Sequence, residues 1–347
     1  MAARTLRIGT RASALALWQA SRVAALIRAQ PGAPLVELVH IKTEGDLRTD
    51  VPLWAVDGRA FFTKEIDRAL LASEIDVAVH SLKDLTTTLE NGIDLVAVLE
   101  REDPRDALLV RATEKGAIGE TASAPRASAT NADSQLTAQL GTALNNLPAG
   151  SRVGTSSLRR RAFLARLRPD LIPVELRGNV PTRIEKLQKG DYDAIILASA
   201  GLVRLGLEKH ITVRLATEDM TSAVSQGAIG CCARAGDTES ARWMKSLDHS
   251  ATRLATTAER ALLRTIEGGC QVPLGALGQI SDGKLHLFSA VCALDGSKHV
   301  TAEGSSDLTV AAATALGERL AEQLLDQGAA RIIEGERGGA RRPVEAP

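Results

Sequence analysis

The sequence predicts an α/β protein of several domains, and three observations carry that expectation. Strand-like and helix-like apolar patterns alternate along the first hundred residues and again from Arg152 onward. The chain has 347 residues, more than a single hydrophobic core usually organises. From Thr252 the pattern changes to a long amphipathic helix, two neighbouring strands and a closing helix, which marks a third region.

Taken in order, Leu6 to Gly9 reads as a strand and Ser13 to Arg28 as a helix with Leu15, Trp18, Val23, Leu26 and Ile27 on its apolar stripe. Leu35 to Ile41 is a strand, Phe62 to Ala72 a helix, and Ile75 to Val79 and Leu95 to Leu99 are short β-rich runs. That succession predicts βαβ units and a largely parallel sheet. Residues 112–147 are rich in Ala, Thr, Ser, Gly and Asn and lack sustained periodicity, so they read as a partly disordered surface insertion. The alternation resumes with strands at Arg152 to Gly154, Leu171 to Leu176 and Asp193 to Ala198, and helices at Ser157 to Arg168 and Val180 to Gln188. Thr252 to Ile266 opens the third region, strands follow near Gly275 to Ile280 and Lys284 to Ala293, and a helix runs from Asp307 to Gln327. The Gly- and Arg-rich tail from Gly335 reads as frayed.

Composition narrows the function classes. Apolar residues make up 44% of the chain and charged residues 24%, an ordinary globular balance. Lys plus Arg and Asp plus Glu both total 42, so no net charge recruits nucleic acid or an anionic membrane. Aromatic residues are only 2%, too few for a base-stacking platform. Cys231, Cys232, Cys270 and Cys292 form no C-x-x-C pair, so neither a metal site nor a disulfide framework is expected. No apolar run reaches membrane-spanning length, and the first strand starts too early to leave room for a leader. A cytoplasmic protein is the expectation.

Three segments carry chemistry. Gly154-Thr155-Ser156-Ser157-Leu158-Arg159-Arg160-Arg161 turns from a strand into a helix, where free N–H groups, hydroxyls and guanidinium forks converge on a positive helix end. It suits a multiply anionic ligand, and it equally suits a capped helix with a solvated basic face. Val77-Ala78-Val79-His80-Ser81-Leu82-Lys83-Asp84 puts a Lys–Asp pair past a strand's C-terminal end, where α/β sheets bind ligands. Its plain alternative is a surface ion pair, and His80 alone reads as a structural histidine. Glu267-Gly268-Gly269-Cys270-Gln271-Val272-Pro273 sets a cysteine on a glycine-rich turn, as a nucleophile or as small filler. The other three cysteines read as packing.

Together these segments resemble the hydroxymethylbilane synthase (porphobilinogen deaminase) family. The resemblance rests on T-R-A-S-A-L-A-L-W-Q, F-T-K-E-I-D-R-A-L-L, D-V-A-V-H-S-L-K-D, E-R-E-D-P-R-D-A, G-T-S-S-L-R-R and L-R-G-N-V. It continues through T-R-I-E-K-L, D-A-I-I-L-A-S-A-G-L-V-R-L-G-L, V-S-Q-G-A-I-G and E-G-G-C-Q-V-P. It implies two periplasmic-binding-protein-like (type II) α/β domains flanking a cleft, plus a smaller α+β C-terminal domain. The implied limits are residues 1–104 with 226–248, residues 105–225 carrying the insertion, residues 249–335, and a flexible tail at 336–347. The implied activity is the stepwise deaminating polymerisation of four porphobilinogens into hydroxymethylbilane by a monomeric transferase. Porphobilinogen is the only partner implied, with no nucleic acid, membrane or metal.

The resemblance also assigns residues. A dipyrromethane cofactor is implied as a thioether on Cys270, with Asp84 and Lys83 catalytic and in contact with it. Thr155, Ser156, Ser157, Arg159, Arg160, Arg177 and Gly178 match the cofactor-binding positions. Arg11, Ser13, Arg183, Arg204 and Gln226 match the substrate-binding ones. Each pyrrole brings acetate and propionate groups, which explains the arginines. Loss of ammonia leaves an azafulvene-like cation that Asp84 can stabilise. The chain departs from the family pattern at the loop Trp54 to Phe62, at Thr86 in place of proline, at Ser225 in place of glycine, and in the insertion. Two rivals remain on residues alone. A non-catalytic binding protein would not need Cys270, and a nucleic-acid binder is disfavoured by neutral charge and few aromatics.

Overall fold

Alternating apolar positions and capped amphipathic helices build three sheets in a computed structural model that describes residues 5–43, 63–111, 144–266 and 272–339. The first stretch gives β1 (Thr5–Thr10), α1 (Ala14–Arg28), β2 (Leu35–His40), α2 (Lys64–Leu71), β3 (Val77–Ser81) and β4 (Ile93–Val98). Ser13 caps α1 by accepting from Ala16 N, and Ala20, Val23, Ala24 and Ile27 form its buried stripe. The chain then crosses to β5 (Asp106–Val110), β6 (Arg152–Gly154), α3 (Leu158–Leu167), β7 (Ile172–Val174), α4 (Val180–Lys189), β8 (Ala194–Ala198), α5 (Ser199–Arg204) and β9 (Val213–Arg214). It returns for β10 (Ile229–Arg234) and α6 (Thr238–Lys245). The remainder is α7 (Ser250–Thr265), β11 (Leu274–Ser281), β12 (Lys284–Cys292), β13 (His299–Ser306), α8 (Val310–Asp326) and α9 (Ala329–Gly339).

The first sheet runs β2-β1-β3-β10-β4 and the second β7-β6-β8-β5-β9. In each, the first three strands are parallel and the fourth is antiparallel to both neighbours. The largely parallel sheet expected from sequence is therefore a mixed one. The reason is the connectivity: β5 and β10 are the first strands after each crossing between sheets, so each enters its sheet from the far side and runs against the others. The third sheet, β11-β12-β13, is antiparallel, with α7 and α8 packed on it through Leu262, Leu316 and Leu320. Ala290 and Cys292 on its other side join the core around Phe163 of α3.

Two sequence expectations change. Leu144 and Leu147, placed in the surface insertion, are buried in the core of the second sheet, since apolar leucines pack where α3 leaves a groove. Helix α9 continues to Gly339, past the expected start of the frayed tail at Gly335. Residues 54–62, 112–143, Cys270 and 340–347 lie outside the described residues.

The two crossings run side by side, with Glu102 N donating to Gly227 O (3.0 Å) and Leu99 N to Ile229 O (3.0 Å). Gly227 has φ +90°, and a Cβ there would meet Glu102 O at 2.3 Å, so no larger residue fits. Glu259 of α7, fully buried, ties the crossings to the third sheet. It accepts from Arg101 Nη1 (2.5 Å), Ser225 N (2.6 Å) and Gly278 N (2.8 Å). Ser225 holds φ +62°, a left-handed conformation that favours glycine, the residue the resemblance leads one to expect there.

Glu259→Ala strands the Arg101 guanidinium, and the expected loss is about 3 to 5 kcal/mol in denaturant unfolding. A loss below about 1 kcal/mol would mean the junction relaxes without it. Ser225→Gly is expected to do the reverse. It relieves the positive φ and removes a buried hydroxyl that has no partner, raising stability by roughly 0.5 to 1 kcal/mol. A lowered denaturation midpoint would contradict that account.

Candidate active site

The C-terminal ends of β1, β3 and β6 lead directly into the chemistry-bearing turns. After β3 the chain tightens into a single 3-10 turn, Leu82–Asp84. Leu82 is fully buried, and its N–H donates to Ala228 O (3.0 Å), which anchors the turn and leaves Lys83 and Asp84 half-buried on its outer side. Lys83 Nζ donates to Gln226 Oε1 at 3.1 Å. Gln226 Nε2 in turn donates to Pro104 O (2.7 Å) and Asp106 Oδ1 (2.9 Å).

Asp106, at the start of β5, is the residue that sequence reasoning missed. It is fully buried and receives Arg159 Nη2 on Oδ2 (2.7 Å) and Arg160 Nη2 and Nε on Oδ1 (2.7 and 3.1 Å). Burial alone would raise its pKa, and the two guanidinium groups overcome that and hold the carboxyl well below the usual range. The signal was an acid opening the apolar run Ala107 to Val110, which only a buried partner can justify. Arg159 also donates to Thr221 O (2.5 Å), and Arg160 Nη1 to Ile196 O (3.0 Å).

The expected site residues separate into groups. Lys83, Gln226, Arg159 and Arg160 share the network just described, and Asp84 follows Lys83 in the same turn. Burial lowers the Lys83 ammonium to about 8, with Asp84 opposing and Arg160 reinforcing that shift. Arg177 and Arg183, after β7 and on α4, join the same field. Burial lowers Arg183 to about 10, repulsion from Arg160 and Arg177 adds to it, and Glu175 and Asp84 offset part. The field thus gathers Lys83, Arg159, Arg160, Arg177 and Arg183 against the carboxylates of Asp84, Asp106 and Glu175, an excess of positive charge fit for a polyanion. Gly178 takes φ +115° and its carbonyl accepts from Arg183 Nε (2.7 Å), which aims the guanidinium.

The hydroxyls are engaged locally. Ser157 caps α3 by accepting from Arg160 N, Thr155 Oγ1 accepts from Ser157 N (3.2 Å), and Ser156 Oγ donates to Leu176 O. They shape the turn, so capping and ligand approach share one end of the helix. Arg11 and Ser13 line a pocket with Gln19, His80, Ser81 and Asp84. Arg204 stands apart: it is buried, donates to Gly227 O (2.6 Å) and lies over the Trp18 ring at 5.7 Å, bracing the crossing. Burial lowers it to about 10, against the pull of Glu102.

Comparison with known proteins shows what the chain is similar to. A family model described as porphobilinogen deaminase, dipyromethane cofactor binding domain, matches residues 6–242, and the porphobilinogen deaminase C-terminal domain matches residues 253–326. A porphobilinogen deaminase of Pelobacter propionicus is 44% identical over 334 residues, spanning 96% of this chain and 98% of that protein. Among solved structures, the periplasmic aliphatic sulphonate binding protein SsuA of Escherichia coli aligns with 16% identity and a TM-score of 0.37, over 76% of this chain and 75% of that one. The VFT2 domain of Bordetella pertussis BvgS aligns with 12% identity and a TM-score of 0.37, over 70% and 86%.

Asp106→Asn tests the network. It leaves two buried guanidinium groups without their counter-charge, and the expected loss is about 3 to 5 kcal/mol at neutral pH. Because the folded carboxyl sits below its unfolded value, its contribution is present above about pH 4 and fades as pH falls further. The stability-versus-pH curve of the variant should therefore be flatter than that of the parent in the acid range. Parallel curves would show that Asp106 does not anchor the arginines.

Proposed function

The chain belongs to the porphobilinogen deaminase family, and from that premise we propose how its own residues carry the family's reaction. That reaction is hydroxymethylbilane synthesis: a transferase joins four porphobilinogens, releasing ammonia, into a linear tetrapyrrole. The observation that carries the residue assignment is the excess of buried and half-buried cations around Lys83, Arg160, Arg177 and Arg183. A dipyrromethane bears several carboxylates, so the donor set fits that group.

Cys270 is the proposed attachment point. The alternatives are poorly suited, since Cys231, Cys232 and Cys292 are all buried. Burial pushes the Cys232 thiol up to about 12 and Cys231 higher still, so neither supplies thiolate near neutral pH. When bound, the dipyrromethane supplies the nucleophilic pyrrole carbon and the anchor for chain growth. Thr155, Ser156, Ser157, Arg159, Arg160, Arg177 and Gly178 are assigned to hold it, with Lys83 oriented by Gln226. Arg159 and Arg160 serve chiefly by fixing the turn, because Asp106, Thr221 O and Ile196 O already take several of their donors. Arg11, Ser13 and Arg183 grip the carboxylates of incoming substrate, and Gln226 steadies the hinge side. Arg204 braces the crossing and acts on substrate only through it.

Asp84 has the central role. Its carboxylate accepts from the substrate's pyrrole N–H and stabilises the positive charge that develops as ammonia leaves. Lys83 beside it balances the substrate's acid groups. The domain limits, a monomeric state and a cytoplasmic location complete the reading. They are consistent with neutral composition and with the finding that, among the described residues, no helix is long and apolar enough to cross a membrane.

Intact mass and turnover of three proteins test the assignment. The parent should carry a dipyrromethane adduct, and Cys270→Ser should fold without it and lose activity. Asp84→Asn should retain the adduct while turnover falls by roughly two to four decades, a loss of about 3 to 5 kcal/mol of transition-state stabilisation. Full activity in Cys270→Ser, or less than a tenfold drop in Asp84→Asn, would refute the respective role.

A further inference from the structure

His80 lines the pocket beside Arg11 and Ser13 and carries a ring nitrogen without a hydrogen bond. It is the fourth residue of β3, only 6% exposed, and its Nε2 is buried without a hydrogen bond. An unsatisfied buried donor or acceptor costs roughly 1 to 3 kcal/mol, so the position calls for a compensating ligand. The ring lines the same pocket as Arg11, Ser13 and Asp84. Ser81 next to it is occupied, exchanging hydrogen bonds with Gln19 (2.8 Å), and cannot turn to satisfy the imidazole at the same time.

We propose that His80 is a specificity-determining residue, donating from Nε2 to one carboxylate of the incoming pyrrole while Arg11 supplies the charge. The inference deepens the functional reading above and rests on it. Burial, helped by the nearby Arg11 cation, lowers the imidazole to about 4, so the ring is neutral in use. A neutral imidazole carries one N–H, and a carboxylate beside it selects the tautomer that places this hydrogen on Nε2. The division of labour is chemical: Arg11 attracts any anion, whereas a short fixed donor on a strand measures where the carboxylate lies. A second cation there would bind more tightly and discriminate less. His80 holds no proton for the reaction and differs in that from Asp84.

The test compares the parent, His80→Phe and His80→Gln, each first shown by intact mass to carry the adduct. Substrates are porphobilinogen and two analogues, one with the acetate and one with the propionate replaced by an alkyl group. Loss of the donor should lower kcat/KM for porphobilinogen about tenfold, mainly through KM, as expected for one hydrogen bond to a charged group. In the parent, one of the two analogues should lose at least tenfold more than it does in His80→Phe, and His80→Gln should recover part of that discrimination. If His80→Phe does not fold, the ratio of the two analogues in His80→Gln against the parent decides, since a shortened reach must alter it. Equal discrimination in the parent and every folded variant would overturn the proposal. A parent without adduct or turnover would instead overturn the functional reading itself.

Discussion

The buried carboxylate of Asp106, held between the guanidinium groups of Arg159 and Arg160, is the constraint on which the site's arrangement depends. All three side chains are at least nine-tenths buried, so none is solvated in compensation. An isolated buried charge costs several kcal/mol, well above the net value of an ordinary hydrogen bond, so the three can only be placed together. That requirement brings the N-terminus of α3 against the start of β5. It also fixes Gln226, whose amide reaches Asp106 with one end and Lys83 with the other. The lysine beside Asp84 is thereby positioned by an ion cluster in the neighbouring sheet.

The same cluster sits where the chain passes between the sheets. Each sheet is completed by an antiparallel strand that enters directly from a crossing, so neither is finished until the other's contribution has arrived. Glu259 adds the third sheet to that junction by accepting from Arg101, Ser225 and Gly278. Residues near the cleft therefore move, if they move, about a junction whose polar atoms are largely satisfied. The Ser225 hydroxyl is among the atoms left without a partner, on a left-handed backbone at the start of the return crossing.

Much of this was legible in the residues. The strand-turn-helix corners at Thr10 to Ser13 and Gly154 to Ser157 announce themselves because small polar residues end an apolar run and begin a 3.6-residue stripe. Lys83 and Asp84 stand out because two charges come just past the end of a short β-rich run. The antiparallel β5 and β10 were harder, since a strand's apolar pattern carries no direction and its partners lie far along the chain. Asp106 was hidden for a related reason: within E-R-E-D-P-R-D-A it is one acid among four, and only burial separates it from the others. The surroundings of Arg204 were not legible either, because a motif position records neither which carbonyl nor which ring an arginine meets.

The arginines show how far charge count and binding capacity diverge. Arg168 donates to Leu144 O, Leu147 O and Asp170, closing the end of α3. Arg159, Arg160 and Arg204 are likewise committed to acceptors within the fold. Arg183 differs, since its field is dominated by burial and by repulsion from Arg160 and Arg177, which together lower it to about 10. Like charges held close in a half-buried site raise the energy of the empty protein, and an arriving polyanion removes that repulsion as well as adding attraction. Each carboxylate delivered by a growing chain then meets cations already oriented by backbone acceptors such as Gly178 O. A fold that spends several arginines on its own cohesion can in this way leave a few poised for ligand, and the resulting selectivity comes from their fixed geometry more than from their number.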